Sequence, residues 1–187
     1  GAPVLGICGG YQMLGERLED PEGVESAPGE VPGLGLLPLV TLLAGEKSTH
    51  LVRAKALKEI PLLGLDRMSP PISGYEIHMG RSSFSGDPPL LIVERDGAEA
   101  RVEEGAMHEW LPVFGCYLHG LFENRCVREG FVRALWERRG VIPSEAASGE
   151  APEWWVVREE RLGRLARVVR ASLRMEEMYR LLGMGSG

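Results

Sequence analysis

Long apolar runs are missing from this 187-residue sequence. A helix that crosses a bilayer needs about 18 consecutive apolar residues, and the opening Gly1-Ala2-Pro3 lacks the charged and then apolar pattern of an export signal. We therefore predict a cytoplasmic protein with no membrane partner.

Clustered charge of either sign is missing as well. The 21 basic and 27 acidic residues give a formal net charge of -6 and are interspersed along the chain. Proteins that bind nucleic acid or anionic membranes usually carry a basic patch. The charge pattern therefore predicts no nucleic-acid partner and favours a small or neutral ligand.

Cysteine is scarce. The three residues Cys8, Cys116 and Cys126 are odd in number and lack the paired spacing of metal ligands. Such a set argues against a secreted disulfide framework and against a zinc site. We expect no metal centre and a reducing environment.

Length and apolar content suit a single compact domain. The 187 residues, 44% of them apolar, are enough to bury a core that needs no disulfide or metal to stabilise it. We therefore assign residues 1–187 to one domain. The sequence starts without Met and passes almost at once into a strand pattern. We therefore expect a piece of a longer polypeptide.

Strand and helix patterns alternate along the chain. Residues 4–7 predict a buried strand, followed by a tight turn and a helix over residues 11–18, and the Gly- and Pro-rich residues 20–38 predict a surface loop. Residues 153–182 predict an amphipathic helix that either packs on the domain or binds a partner. The other predicted elements are strands at 36–43, 50–56, 73–79, 90–94, 100–103 and 113–118, and a helix at 123–139 capped by Gly140. We predict an α/β fold with parallel early and late strands.

Cys8 lies at the predicted turn between the first strand and the first helix. Such a turn exposes the sulfur, and the start of the helix favours the thiolate. Gly9 and Gly10 let a substrate carbonyl approach backbone N–H groups, as an oxyanion hole requires. The alternative is an inert core thiol, but the glycines and Gln12 favour a nucleophile. Cys116 and Cys126 lack these features and are predicted to be inert.

A cysteine nucleophile needs a base within hydrogen-bond reach. Of the four histidines, His119 is best placed, because it directly follows the buried strand pattern and precedes Gly120. Parallel α/β folds collect catalytic groups at the carboxyl ends of their strands. The alternative is a structural histidine with satisfied hydrogen bonds. His50 and His108 are predicted to lie on the surface.

Residues 74–80 contain a second candidate polar group. Strand alternation puts Tyr75 and Ile77 on one face and Glu76 and His78 on the other. The Glu76 and His78 pair predicts either a polar site or a solvated edge, and the pattern does not separate the two.

These residues resemble a known family. The segment Gly6-Ile7-Cys8-Gly9-Gly10-Tyr11-Gln12-Met13-Leu14-Gly15 resembles the nucleophile segment of class I glutamine amidotransferases. Further segments, in the same order, are similar to the C-terminal amidotransferase domain of the cobyric acid synthase family, CobQ, and the similarity runs from Pro3 to about Val141. They are Asp20-Pro21, Gly33-Leu34-Gly35-Leu36-Leu37-Pro38, Gly74-Tyr75-Glu76-Ile77-His78-Met79-Gly80-Arg81 and Gly115-Cys116-Tyr117-Leu118-His119-Gly120-Leu121-Phe122-Glu123-Asn124.

The resemblance implies a fold and a reaction. The fold is α/β, with a mostly parallel sheet flanked by helices and an added antiparallel strand region. In the reaction, Cys8 attacks the side-chain amide of glutamine, the Gly9 N–H helps to hold the oxyanion, and His119 passes a proton to the departing ammonia. His119 then activates the water that releases glutamate. The implied substrate-binding residues are Gly9, Gly10, Gln12, Tyr75 and His78.

The resemblance also implies partners. In this family the ammonia travels to an ATP-dependent domain that amidates the b, d, e and g carboxylates of a corrin ring. The present sequence has no Gly-x-x-x-x-Gly-Lys-Ser/Thr phosphate loop, so no cofactor is predicted for this segment. ATP, Mg and the corrinoid substrate are expected in an N-terminal synthetase domain of the same polypeptide.

Two departures from the family pattern qualify these expectations. Many class I amidotransferases have a Glu two residues after the catalytic His, where this sequence has Leu121. Either Glu123 or a backbone or water group would then orient His119. The family also implies preceding strands and another oxyanion donor, so we expect weak or no glutaminase activity from the isolated chain.

The sequence leaves two other functions open and disfavours a third. A glutaminase subunit of another amide ligase, such as the peptidoglycan-amidating GatD type, has a similar Cys-Gly-Gly-Tyr-Gln segment. A catalytically silent domain would bind a partner through the Arg-rich residues 158–174. A dinucleotide-binding module is disfavoured because the third glycine is not correctly spaced.

Overall fold

The computed structural model describes residues 1–25, 27–141 and 152–184. The chain divides into two compact units, Gly1–Ala151 and Pro152–Gly187. No helix among the described residues is long and apolar enough to cross a membrane.

The described residues of the first unit form short strands, two long strands and two helices. Its elements are β1 (Val4–Ile7), α1 (Gly9–Met13), β2 (Arg17–Asp20), β3 (Gly29–Pro32), β4 (Leu39–Ala56), β5 (Ile72–Phe84), β6 (Leu90–Arg95), β7 (Ala98–Glu104), β8 (Ala106–Met107), β9 (Val113–Cys116), β10 (Leu118–His119), a 3₁₀ turn (Leu121–Glu123) and α2 (Arg125–Arg139).

The strands form two sheets. The smaller sheet has the order β1-β9-β8, with β1 and β9 parallel and Ile7 opposite Cys116. The larger sheet has the order β10-β5-β4-β2-β3, and the hairpin of β6 and β7 joins it through β4. Apart from β1 with β9 and β2 with β4, the strand pairs in the described residues are antiparallel.

The predicted α/β class and its antiparallel region are confirmed, but the balance of strand directions differs from the expectation of a mostly parallel sheet. The reason is the length of the β4–β5 hairpin, which runs from Leu39 opposite Phe84 to Ala54 opposite Ile72. The sequence indicated two separate strands at 36–43 and 50–56, which are in fact one strand with a break in register between Leu42 and Lys47.

The predicted helix over residues 11–18 is wrong beyond Met13, and the predicted loop over residues 20–38 contains β3. Both differences come from close backbone contact. A Cβ atom on Gly33 would lie 2.1 Å from the carbonyl oxygen of Gly15, and the amide of Glu16 donates to the carbonyl of Leu39. The chain therefore leaves α1 early and enters the larger sheet at β2.

Two hydrophobic clusters support the elements around Cys8. One lies beneath α1 and includes Tyr11, Leu14 and Tyr117. The other contains Phe114 and Cys116 of β9. All four residues of β9 are buried, and burial raises the pKa of the Cys116 thiol well above its ordinary value. The prediction that Cys116 is a core thiol agrees with this position.

The predicted helices near the end of the chain are confirmed with new boundaries. The helix predicted over 123–139 is α2, and Gly140 ends it in the left-handed conformation with φ 63°. In the second unit the helix predicted over 153–182 is two helices, α3 (Trp154–Ser172) and α4 (Met175–Leu181), because Leu173 is extended.

Candidate active site

Cys8 occupies a strained turn directly after β1. Its backbone has φ 55° and ψ -117°, and among the described non-glycine residues only Asp96 shares a positive φ. Such a conformation costs on the order of 1–3 kcal/mol and persists only when surrounding contacts impose it. Here the Cys8 N–H donates to the Cys116 carbonyl at 3.0 Å, and the Cys8 carbonyl accepts from the Gln12 N–H at 3.1 Å.

The turn keeps the thiol accessible while the helix behind it is packed tightly. Cys8 is half-buried, and its sulfur donates a hydrogen bond to the carbonyl of Ile77 in β5 at 3.4 Å. A Cβ atom on Gly6 would lie 2.6 Å from the side chain of Leu14, so glycine allows α1 to approach β1. Cβ atoms on Gly9 and Gly10 would meet nothing within 4 Å, which leaves open space beside the thiol.

His119 reaches the same region through a change of sheet. The chain leaves β9 at Cys116 and joins the larger sheet as β10, where His119 pairs with Tyr75. A Cβ atom on Gly74 would lie 2.4 Å from the His119 carbonyl oxygen, so this approach depends on glycine. The Tyr75 ring stacks on the imidazole with 5.0 Å between centroids and 9° between planes.

Both predicted catalytic residues lie beside strand β5. The Cys8 sulfur contacts Ile77, and His119 lies opposite Tyr75, two residues and about 7 Å away along the strand. The Nε2 atom of His119 is buried and has no hydrogen-bond partner among the described residues. No group among the described residues therefore competes for the Nε2 atom of His119.

Glu123 makes no hydrogen bond to the His119 ring among the described residues, although it was one of the orienting groups considered. Its exposed side chain folds back towards Gly120, where a Cβ atom would lie 3.6 Å from the Glu123 carboxyl carbon. Leu121, which occupies the usual position of the orienting Glu, is buried. The observed contact that restrains the imidazole is the stacked Tyr75 ring.

Gln12 is buried and links α1 to the larger sheet. Its side-chain nitrogen donates to the Met79 carbonyl at 2.9 Å and to the Tyr117 hydroxyl at 3.1 Å. The Tyr117 hydroxyl also hydrogen bonds to Ser82 at 2.7 Å. Both amide hydrogens of Gln12 are therefore used internally, and its predicted contact with glutamine stays a prediction. In this structure Gln12 fixes the position of the turn that carries Cys8.

His78 points to the opposite face of β5 from Tyr75, as strand alternation predicts. The Glu76 and His78 pair forms a buried polar site instead of a solvated edge, since Glu76 is only 1% exposed and its carboxylate is 2.9 Å from Arg95. Burial opposes ionisation of Glu76, but His78 and Arg95 outweigh it and hold the pKa of this carboxyl below its ordinary value.

The His78 face opens into a polar cleft of about 460 Å³. The His78 ring stacks on Tyr117, with 3.7 Å between centroids, and its Nδ1 atom lies 3.2 Å from the Gly80 carbonyl oxygen. The structure thus places Cys8 and His119 along the same strand as Tyr75, β5, and directs the His78 ring to its other face. Tyr117 had no predicted role, because strand patterning places it in the core without indicating its hydroxyl contacts.

The two histidines predicted to lie on the surface, His50 and His108, are partly exposed. The Nδ1 atom of His50 lies 2.6 Å from a carboxylate oxygen of Asp96, and His108 lies in the turn before β9. Within the part of the chain that the structure describes, no group of three or more His, Cys, Asp or Glu side chains is arranged to hold a metal ion.

Cysteine-dependent amide hydrolases need an accessible thiol, a nearby base and backbone N–H groups open to the substrate carbonyl. The α/β fold of this chain carries groups of these kinds around β1, α1 and β10. Over residues 1–127 the sequence matches the family described as the CobB/CobQ-like glutamine amidotransferase domain. The chain belongs to this family, which confirms the resemblance found in its motifs.

Several curated relatives are similar over nearly the whole chain. Cobyric acid synthase of Desulforamulus reducens is 38% identical, and the match covers 100% of this chain and 36% of that protein. Cobyric acid synthase of Pelotomaculum thermopropionicum is 43% identical, with 98% and 35% covered. The corresponding protein of a Thermoanaerobacter species is 35% identical, with 96% and 35% covered. The chain spans about a third of the length of these relatives.

Proposed function

We propose that this chain is the glutaminase part of an adenosylcobyric acid synthase, in which Cys8 is the nucleophile and His119 the proton carrier. The observation that carries the proposal is the convergence of both residues on β5, where the Cys8 sulfur contacts Ile77 and His119 pairs with Tyr75. The family match and the cobyric acid synthases among the relatives support it.

The proposed reaction converts glutamine and water into glutamate and ammonia. The Cys8 thiolate forms a bond to the amide carbon, and the resulting oxyanion is held by the Gly9 N–H, which belongs to the first turn of α1 and so has no helical acceptor. His119 protonates the nitrogen as the carbon–nitrogen bond breaks and ammonia leaves. Water then gives a proton to His119 and its oxygen to the acyl carbon, which releases glutamate and the thiol.

The open space beside Gly9 and Gly10 is the proposed place of the glutamine side chain. Tyr75 is 41% exposed on the same face of β5 as His119, so it is proposed both to stack on the imidazole and to line the substrate site. Gln12 and His78 are assigned indirect roles through their contacts with Tyr117.

The use of the ammonia is proposed to take place in the remainder of the polypeptide. An N-terminal synthetase domain would bind ATP, Mg and the corrinoid and would amidate the b, d, e and g carboxylates. The relatives are about three times longer than this chain, in agreement with such a domain. The proposed localisation is the cytoplasm.

The test uses the full-length protein and glutamine labelled with ¹⁵N in its side-chain amide. With ATP, Mg and corrinoid diamide, we expect ¹⁵N amides in the corrinoid by mass spectrometry. Cys8→Ala is expected to lose both glutamate release and ¹⁵N transfer, but to amidate the corrinoid when ammonium is added. Cys126→Ala, a matched change at a half-buried thiol, should retain all activities. Undiminished glutamate release by Cys8→Ala would refute the assignment.

A further inference from the structure

Glu104 is a buried acid at the last position of β7, and the proposed reaction gives it no part. Its side chain is 7% exposed, and its Oε1 atom accepts a hydrogen bond from the Tyr117 N–H at 2.6 Å. The following Gly105 has φ 78°, and a Cβ atom there would lie 3.0 Å from the Gly115 carbonyl oxygen. A tight glycine turn thus brings Glu104 against the end of β9.

The bonded amide lies where the chain changes sheets. Strand β9 pairs with the nucleophile strand β1 and ends at Cys116, whereas β10 begins at Leu118 and pairs with β5. Tyr117 is the single residue between them. Its N–H donates to the Glu104 carboxylate instead of to a neighbouring strand. This hydrogen bond therefore holds the bend that carries the chain from the Cys8 side of the site to His119.

The side chain of Tyr117 is restrained separately. Its hydroxyl bonds to Gln12 and Ser82, and its ring stacks on His78. These side-chain contacts fix the ring. The direction of the backbone at Tyr117 depends instead on the hydrogen bond between its N–H and Glu104. A buried charge-assisted hydrogen bond is about twice as strong as a neutral one, so Glu104 is suited to fixing that direction.

We propose that Glu104 is a positioning residue, which holds the Tyr117 amide and thereby sets His119 against Cys8 for proton transfer. The inference rests on the proposed glutaminase function and extends it to a residue remote from the substrate. Because Glu104 touches neither reactant, its loss should lower kcat and leave the KM for glutamine nearly unchanged.

The charge state of Glu104 connects this role to pH. Burial raises its pKa to about 7, and Glu76 adds to the effect, while the Tyr117 N–H, His78 and Arg95 oppose it. Tyr11 of α1 and Cys116 of β9 also face it, since its charge contributes to their raised pKa values. Protonation of Glu104 below neutral pH weakens its hydrogen bond to the Tyr117 N–H. The backbone between β9 and β10 should then be held less firmly.

The experiment compares Glu104→Ala, Glu104→Gln and the control Glu103→Gln in the full-length protein. Glu103 is the exposed neighbour in β7. Rates of glutamate release are divided by the number of Cys8 sites labelled by a chloroketone analogue of glutamine, so unfolded molecules do not count. We expect kcat per labelled site to fall about 30-fold in Glu104→Ala, since a misplacement of about 1 Å can cost 100-fold.

Glu104→Gln keeps an oxygen acceptor for the Tyr117 N–H and cannot ionise. We expect its kcat at pH 8 to stay within about threefold of wild type, because one charge-assisted bond becomes a neutral one. The ratio of its kcat to that of wild type should rise as the pH falls from 8 to 6. Comparing the two proteins cancels the pH dependence of the groups that they share.

The outcomes separate the two proposals. If wild type releases glutamate but Glu104→Ala keeps its kcat per labelled site, the positioning role is wrong and the proposed function stands. A rise in KM with unchanged kcat, or a pH-independent ratio for Glu104→Gln, also contradicts the positioning role. If wild type releases no glutamate and Cys8 is not labelled, the proposed function itself fails.

Discussion

The ring of Tyr75 lies flat against the imidazole of His119, with 9° between the planes and 5.0 Å between the centroids. The two residues face each other across the β5–β10 pair. A carboxylate orients the catalytic imidazole in many cysteine and serine hydrolases. In this protein an aromatic face restrains the ring and leaves the buried Nε2 atom unbonded among the described residues.

The first prediction concerns this stacked pair. Tyr75→Phe keeps the aromatic face, so kcat for glutamate release should stay within about twofold of wild type. Tyr75→Ala removes a contact worth about 1 kcal/mol, and kcat should fall about fivefold. Steady-state kinetics on the full-length protein measure both. A rise in KM without a change in kcat would show that Tyr75 binds glutamine and does not position His119.

The second prediction concerns the close approach of β5 to β10. A Cβ atom on Gly74 would lie 2.4 Å from the His119 carbonyl oxygen, a backbone atom that cannot rotate away. Gly74→Ala should therefore displace β10 and lower kcat about 100-fold, the cost of a shift of about 1 Å. Gly45→Ala is the matched control, because a Cβ atom there meets nothing within 4 Å. Equal activities of the two variants would contradict the argument.

Local patterns predicted that Cys8 and His119 lie at strand ends, and the structure places them there. Both lie at the ends of short apolar strand patterns, and glycines beside them mark sharp turns, so the signals fall within a few residues of each site. The buried face shared by Glu76 and His78 was one of two alternatives, because alternation gives the face but not what covers it. Arg95, which pairs with Glu76, is 19 residues away in sequence.

The features that local patterns did not predict depend on contacts between residues far apart in the sequence. The side chain of Gln12 bonds to Met79, 67 residues further along the chain, and no local pattern indicates that its amide is used internally. The helix predicted over residues 11–18 ends early because Gly15 meets Gly33 and Leu39. In the sequence, Glu104 is an acidic residue near the end of a predicted strand, and no local pattern indicates its contact with Tyr117.

The third prediction follows from the raised pKa of Glu104, about 7 against an ordinary value of 4.5. Between these pH values the folded protein keeps the proton and the unfolded chain has lost it. The contribution of protonated Glu104 to the free energy of unfolding is therefore complete below pH 4.5. It is lost as the pH rises through 7. Glu104→Gln has no such loss, so its stability relative to wild type should increase over this range by on the order of 3 kcal/mol.

Urea unfolding of the chain at several pH values, followed by tryptophan fluorescence, measures this difference. Glu103→Gln, at the exposed neighbouring position, should show no comparable dependence on pH. A constant difference between Glu104→Gln and wild type from pH 4.5 to 8 would mean that Glu104 ionises normally in the folded protein.

The fourth prediction concerns the strain stored at Cys8, whose φ of 55° and ψ of -117° are unfavourable for a residue with a Cβ atom. Cys8→Gly relieves that strain, although glycine loses more entropy on folding, so we expect a net gain of about 1 kcal/mol in unfolding free energy. Cys8→Ser keeps the Cβ atom and should show no such gain. Neither variant should release glutamate. Urea unfolding compares them directly, and a Cys8→Gly chain less stable than Cys8→Ser would show that the turn carries no backbone strain.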